Sequence, residues 1–184
     1  MAALPGSSSV HWFGDLYNVS DRDPADYGAI IPQRVYRSDS AQPSAAPPPD
    51  IIFPSRVSIP AAIAMPHSEF DVEHMQPVFR RTIDTRIFGG RTIKLHLEIP
   101  GFAPWCTDVH VRNVHEARTV TIAAFMWRIA RAIKKWHSDH QGVPCADEES
   151  HGNVAAGPLD NIILIELRHI SENSWQPVLG WRSQ

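Results

Sequence analysis

Three consecutive stretches decide the fold class: Thr92-Ile-Lys-Leu-His-Leu-Glu-Ile99, Pro104-Trp-Cys-Thr-Asp-Val-His-Val111 and Thr121-Ile-Ala-Ala-Phe-Met-Trp-Arg-Ile-Ala-Arg-Ala-Ile-Lys-Lys-Trp136. In the first stretch apolar and polar residues alternate, as they do in a strand with one buried face. In the third, apolar residues recur at the spacing of an amphipathic helix. The pattern therefore predicts strand, strand and helix in that order.

The predicted helix covers residues 121–138. Its first residue, Thr121, has a hydroxyl that can accept from the free amides of the first turn. The apolar face consists of Ile122, Phe125, Met126, Ile129, Ile133 and Trp136. The opposite face consists of Arg128, Arg131, Lys134 and Lys135. One face of this helix is therefore predicted to lie on the core, and the other is predicted to be a basic surface.

Residues 79–99 are predicted to form a hairpin around Phe88-Gly89-Gly90. A three-residue loop would pair Ile93 with Thr85 and supply a glycine for the left-handed position. Alternation then turns Ile93, Leu95, Leu97 and Ile99 toward the core, and Lys94, His96 and Glu98 outward. The next strand is predicted at Val109–Val114.

Two more strands are predicted near the end of the chain. Asn161–Leu167 is a continuous apolar run, which is typical of a central strand covered on both faces. Ser174–Leu179 contains Pro177, and proline favours an edge position. The sum is an α+β fold, in which a mostly antiparallel sheet of about five strands packs against one main helix.

The chain is expected to divide near residue 65. Most of its 16 prolines lie in the first 77 residues, and Asp39–Asp50 has no apolar periodicity. We therefore predict a proline-rich, largely irregular arm over residues 1–64 and one α+β domain over residues 65–184.

Composition excludes some classes of protein. The apolar fraction of 43% can form a core, whereas a net charge of −3 argues against a nucleic-acid coat or a polybasic membrane anchor. No apolar run is long enough for a membrane span, and no secretory signal is evident. Two cysteines make no disulfide framework, so a reducing, cytoplasmic setting is expected.

Four short segments resemble a domain family of mushroom-forming fungi, domain of unknown function 6699. They are Leu95–Ile99, Pro104–Val111, Thr119–Ile122, and Ile163–Leu167 taken with Trp175–Leu179. The resemblance covers roughly residues 74–181. It implies the same type of fold and a fungal, intracellular context, and it transfers no catalytic residue.

Histidines and cysteines were considered as metal ligands and as nucleophiles. His137, His140, Cys145 and His151 could surround a zinc ion, but their spacing matches no standard zinc motif, so neither a metal nor another cofactor is predicted. Cys106 could be activated by His110 or His169. Residues four apart in one strand do not touch, so a half-buried core cysteine is the preferred interpretation.

Two functions are compatible with these patterns. The first is a non-enzymatic module that binds a protein or a small molecule through Trp105, Trp127, Arg128 and Arg131, because tryptophan and arginine are enriched in binding sites. The alternative is a small enzyme with a pocket between helix and sheet, in which His96, Glu98, His110 and His115 supply acid–base groups. Nucleic acid and membrane are not expected as partners.

Overall fold

A computed structural model of the 184-residue chain describes residues 29–34, 50–53, 57–65, 75–112, 119–144, 154–171 and 173–182. Most of the predicted proline-rich arm lies outside these ranges. His115, Cys145 and His151 also lie outside them.

The described residues form eight strands and three α-helices. The strands are β1 (Ala29–Ile30), β2 (Ile51–Ile52), β3 (Thr82–Asp84), β4 (Thr92–Leu97), β5 (Trp105–His110), β6 (Thr119–Thr121), β7 (Ile162–Ser171) and β8 (Ser174–Trp181). The helices are α1 (Ile59–Ile63), α2 (Pro77–Arg80) and α3 (Ile122–His140), with short 3₁₀ turns at Thr85–Phe88 and Leu159–Asn161.

The main sheet has the strand order β2-β7-β8-β4-β5, and β1 also pairs with β8. Every pairing in it is antiparallel except that of β4 with β8. Strands β3 and β6 form a separate two-stranded sheet. The predicted α+β fold, a mostly antiparallel sheet with one main helix, is confirmed.

Helix α3 begins where its capping residue predicts. The Ala124 amide donates to Thr121 Oγ1 at 3.2 Å, which satisfies one of the free donors of the first turn. Phe125, Met126, Ile129, Ile133 and Trp136 are all fully buried. They pack in one cluster with the inward residues of β4, and we call the side of the main sheet that α3 covers the helix face.

The predicted hairpin around Gly89 is wrong. Residues Thr82–Asp84 pair with β6, and Thr85–Phe88 form a 3₁₀ turn that begins at Asp84 and ends at Gly89 in the left-handed conformation. Asp84 explains the change, because its carboxylate accepts from the Arg86 amide and so favours a turn over a strand. Strand β4 instead pairs with β5, which begins at Trp105, four residues before the predicted start.

Strand β8 lies inside the sheet, so the predicted edge position is also wrong. Pro177 is accommodated because its nitrogen faces a gap where β4 and β8 diverge, away from β7. On this side of β8 the Leu179 carbonyl accepts from the Ile31 amide at 2.8 Å. The Pro177 carbonyl accepts from Gln33 Nε2 at 2.6 Å. A strand that needs no donor at that position tolerates proline.

Segments of the predicted arm belong to the core. Ile31, Phe53, Val57 and Ile59 are buried in the same cluster as α3. Residues 29–34 fill the gap beside β8, where the Arg34 amide donates to the Glu98 carbonyl at 2.8 Å. A boundary at residue 64 therefore does not separate these segments from the domain.

The side of the main sheet opposite α3, which we call the second face, is also largely buried. It contains a small apolar cluster of Ile163, Ile165 and Val178, with Ile30 packed against it. Beside this cluster lie four buried polar side chains: Gln33, His96, Glu166 and Gln176. His96 was predicted to face solvent, but it is only 5% exposed, although Lys94, Cys106 and Asp108 on the same face are exposed.

Candidate functional site

The outward side of α3 is the basic surface that the sequence predicts. Arg131, Lys134 and Lys135 are exposed, and Trp127 and Arg128 are half-buried. Lys135 pairs with Asp139, the only acid of the helix, at 2.6 Å. We call Trp127, Arg128, Arg131, Lys134 and Lys135 together the basic surface.

Trp127 and Arg131 interact with each other, one helical turn apart. The guanidinium carbon of Arg131 lies 4.8 Å from the Trp127 ring centroid, within the range of a cation–π interaction. Such a pair at an exposed site is worth about 0.5–1 kcal/mol. Its main effect here is to fix the direction of the guanidinium along the basic surface.

Trp105 and Trp127, which were predicted to act together, lie on opposite flanks of the basic surface. Arg128 Nη1 donates to the His110 carbonyl at 3.3 Å, so the Arg128 flank faces β5. Trp127 points about 100° away from Arg128 because a helix turns by that angle per residue. Trp105 is half-buried on β5 opposite Leu97 and packs on the core. Trp105 begins β5 and Arg128 contacts its last residue, so the two lie near opposite ends of this strand.

Strand β5 is an outer edge of the main sheet, and its peptide groups have a defined direction. The Val111 amide donates to the Arg91 carbonyl of the β4 side at 2.8 Å. The His110 carbonyl, one residue earlier, points outward to Arg128. Since peptide groups alternate along an antiparallel strand, Cys106 and Asp108 also direct their N–H and C=O groups outward. Among the described residues no strand pairs with this edge.

Cys106 is exposed and pairs across the strands with His96, so the interpretation of a half-buried core cysteine does not hold. Its Sγ lies 3.9 Å from His96 Nε2. The predicted partners of Cys106 were His110 and His169, and His96 was not among them. The reason is that the pairing register of β4 with β5, rather than spacing within one strand, brings the two residues together.

The pKa shifts of Cys106 and His96 both disfavour a thiolate–imidazolium pair. Partial burial raises the pKa of the Cys106 thiol above its ordinary value of 9.0. Burial, and then the charge of Lys94, lower the pKa of His96 below 6.5. Near neutral pH the thiol is protonated and the imidazole is neutral. Both shifts therefore disfavour a resting thiolate, the form in which a cysteine is most nucleophilic.

The other candidates for acid–base chemistry are separated. Glu98 is half-buried on the same face as His96, and burial raises the pKa of its carboxyl. His110 is exposed at the β5 edge, at the end of the strand next to α3. His115 lies outside the described residues. Of the candidates that can be placed, His96, Glu98 and His110 share the second face, but His110 pairs with Thr92, four residues along β4 from His96.

The histidines at the end of α3 have backbone partners. His137 Nε2 lies 2.9 Å from the Gly157 carbonyl, and His140 Nδ1 lies 2.8 Å from the Trp136 carbonyl. A carbonyl only accepts, so each ring nitrogen donates to it. Within the described ranges no three metal-binding side chains converge. The two further candidate ligands, Cys145 and His151, lie outside these ranges.

One charged cluster was missed by the sequence analysis. Glu166 is 4% exposed on the second face and lies 3.0 Å from Arg168 Nε. Asp50 lies 4.0 Å from the same nitrogen and accepts from the His169 amide at 3.2 Å. Burial raises the pKa of Asp50, and the charge of Glu166 and a hydrogen bond with it add to this effect. The sequence signal for this cluster was Glu166, a single glutamate inside the apolar run of β7.

Comparisons with protein-family models, with curated proteins and with solved structures found no match. The resemblance to domain of unknown function 6699 therefore stays a prediction. None of the described helices combines the length and the apolar character needed to cross a membrane.

Proposed function

We propose that this protein is a non-enzymatic binding module whose ligand is an acidic protein segment, bound between the basic surface of α3 and strand β5. One observation supports this most directly. Arg128 and Lys135 lie along the flank of α3 next to an exposed sheet edge, and Arg128 spans from the helix to that edge. A cationic strip beside outward backbone groups suits an acidic chain.

The pKa directions of Cys106 and His96 support binding over catalysis. Both shifts disfavour a resting thiolate–imidazolium pair. The exposed thiol also suits a reducing compartment. As part of the same proposal we infer a cytoplasmic location. We also propose that the protein belongs to the fungal family that its strand and helix segments resemble.

The test is titration of the full chain with a fluorescently labelled acidic peptide of alternating Glu and Thr, followed by anisotropy. Arg128→Glu combined with Lys135→Glu should weaken binding by about tenfold, because each surface charge contact is worth about 0.2–1 kcal/mol. Binding should also weaken with added salt, since exposed charges are screened over about 10 Å at 0.1 M ionic strength.

A matched control makes the same total change of charge at two other places. It combines Lys134→Glu, which lies on the Trp127 side of α3 about 120° from Arg128, with Arg182→Glu, which lies beyond the end of β8. This control should weaken binding much less than the first double variant. Equal effects of all charge reversals, or tighter binding of a single-stranded oligonucleotide with the same charge, would overturn the proposal.

A further inference from the structure

The structure points to a specific binding mode, which rests on the proposed function: an extended acidic peptide adds to the main sheet as a further strand beside β5. Acidic side chains at every second position of the peptide face α3. The alternate side chains, which lie next to Cys106 and Asp108, are uncharged.

The backbone of β5 offers the hydrogen-bonding groups for this mode. The N–H and C=O groups of Cys106 and Asp108 point away from β4, and an added strand can pair with them in regular geometry. The His110 carbonyl already accepts from Arg128, which closes the edge at that end. The added strand is therefore centred on Cys106 and Asp108.

The side-chain pattern of the ligand follows from the two faces of the edge. Trp105, Thr107 and Val109 point to the helix face, so a ligand side chain on that face meets Arg128 and Lys135. Cys106 and Asp108 point to the second face, where Lys94 lies opposite Asp108 across the strands and offsets its charge. An acid therefore gains more on the helix face of the ligand, where no acid of β5 lies, than on the second face.

Charge complementarity favours such a peptide over a second copy of this chain. A second β5 added to the edge would present Trp105, Thr107 and Val109 to α3, and none of these is acidic. It would also bring two basic helices next to each other. A foreign acidic strand has neither disadvantage.

The decisive experiment compares backbone-methylated forms of the capped peptide Thr-Glu-Thr-Glu-Thr-Glu-Thr. N-methylation removes the donor of a peptide group and leaves its side chain. Methylating the Thr amides should lower affinity at least about tenfold for an antiparallel strand, because those amides face β5, while methylating the Glu amides changes it little. For a parallel strand, methylating the Glu amides should lower affinity, and methylating the Thr amides should change it little.

Equal affinities of the two methylated peptides would overturn strand addition and leave the proposed function standing, because the acidic peptide still binds. Binding of none of the acidic peptides would overturn both. A peptide of the same composition with its Glu residues in one block should bind at least about fivefold more weakly, since only alternation places every acid on the helix face.

A pair of protein variants tests the same edge. Asp108→Pro removes an outward N–H without touching the pairing to β4, and should abolish binding while the unfolding midpoint stays close to that of the wild type. Asp108→Ala removes only the side chain and keeps the N–H, so Asp108→Pro should weaken binding much more than Asp108→Ala does. Amide exchange at Cys106 and Asp108 should slow when the peptide is bound. A wild-type dimer that Asp108→Pro dissociates would identify a second copy as the occupant and overturn the proposal.

Discussion

The two faces of the main sheet are both largely buried, yet different chemistry stabilises them. On the helix face, apolar residues from α3, β4 and β8 form one continuous cluster. On the second face a small apolar cluster lies beside polar side chains that satisfy one another, such as Gln33 with Gln176. The first face depends on the amount of apolar surface buried, whereas the second depends on particular hydrogen bonds.

The largest effect is expected from a cavity on the helix face. Trp136 is fully buried, and its ring contacts that of Phe102 with centroids 5.6 Å apart. Trp136→Ala should lower the free energy of unfolding by about 3–5 kcal/mol, because it removes a large apolar side chain and leaves a void. Urea unfolding measures this. Trp127→Ala, at a half-buried position of the same helix, is the control, and a loss equal to that of Trp136→Ala would contradict the comparison.

A smaller loss is expected on the second face, and it should be shared between two residues. Gln176 Nε2 donates to the Arg34 carbonyl at 2.7 Å and lies 3.3 Å from Gln33 Oε1. Gln176→Ala should lower the free energy of unfolding by about 1–3 kcal/mol, because it leaves buried polar groups without partners. The double variant, Gln176→Ala with Gln33→Ala, should lose less free energy of unfolding than the two single variants lose in sum. Strict additivity would show that the two amides do not act together.

The smallest effect is a pH dependence from the carboxyl cluster. The pKa of Asp50 is raised in the folded protein, so its contribution to stability is present below its ordinary value of 3.8 and is lost as pH rises through the folded pKa. The stability of Asp50→Asn relative to the wild type should therefore increase as pH rises from about 3.8. Unfolding of both proteins across this range measures the difference.

Asp84 provides a control of opposite sign for that measurement. Hydrogen bonds from Arg86 lower the pKa of Asp84 to about 2, so its contribution is present above 3.8 and is lost as pH falls. Asp84→Asn should therefore lose stability relative to the wild type as pH rises from about 2 to 4. The same slope for both variants would show that the second-face cluster does not couple to Asp50.

The sequence predicted the structure correctly where a periodic pattern of apolar residues faces the core. Thr121 predicted the start of α3, and alternation in β4 identified the inward residues Ile93, Leu95 and Leu97. It was uninformative for polar residues that are buried by distant parts of the chain. His96 has the pattern of a solvent-facing residue, and only its pairing register with Cys106 shows its contact.

The candidate site was predictable in part for the same reason. The basic face of α3 follows directly from helical spacing, because the residues involved are local. The outward direction of Cys106 and Asp108 does not, because it depends on which strand lies beside β5 and in which register. Glu166 inside an apolar run is a signal that could have been used, since a buried carboxylate requires a partner.

The position of residues 29–34 affects how the chain folds during its synthesis on the ribosome. Gln33 and its partner Pro177 are 144 positions apart, so at a synthesis rate of about 5–20 residues per second the early segment waits about 7–30 s for its partner. During that time Ile31 has no strand to join. Closure of the sheet is thus a late step that joins the first described segment to the last, and we expect newly made chains to depend on chaperones until it occurs.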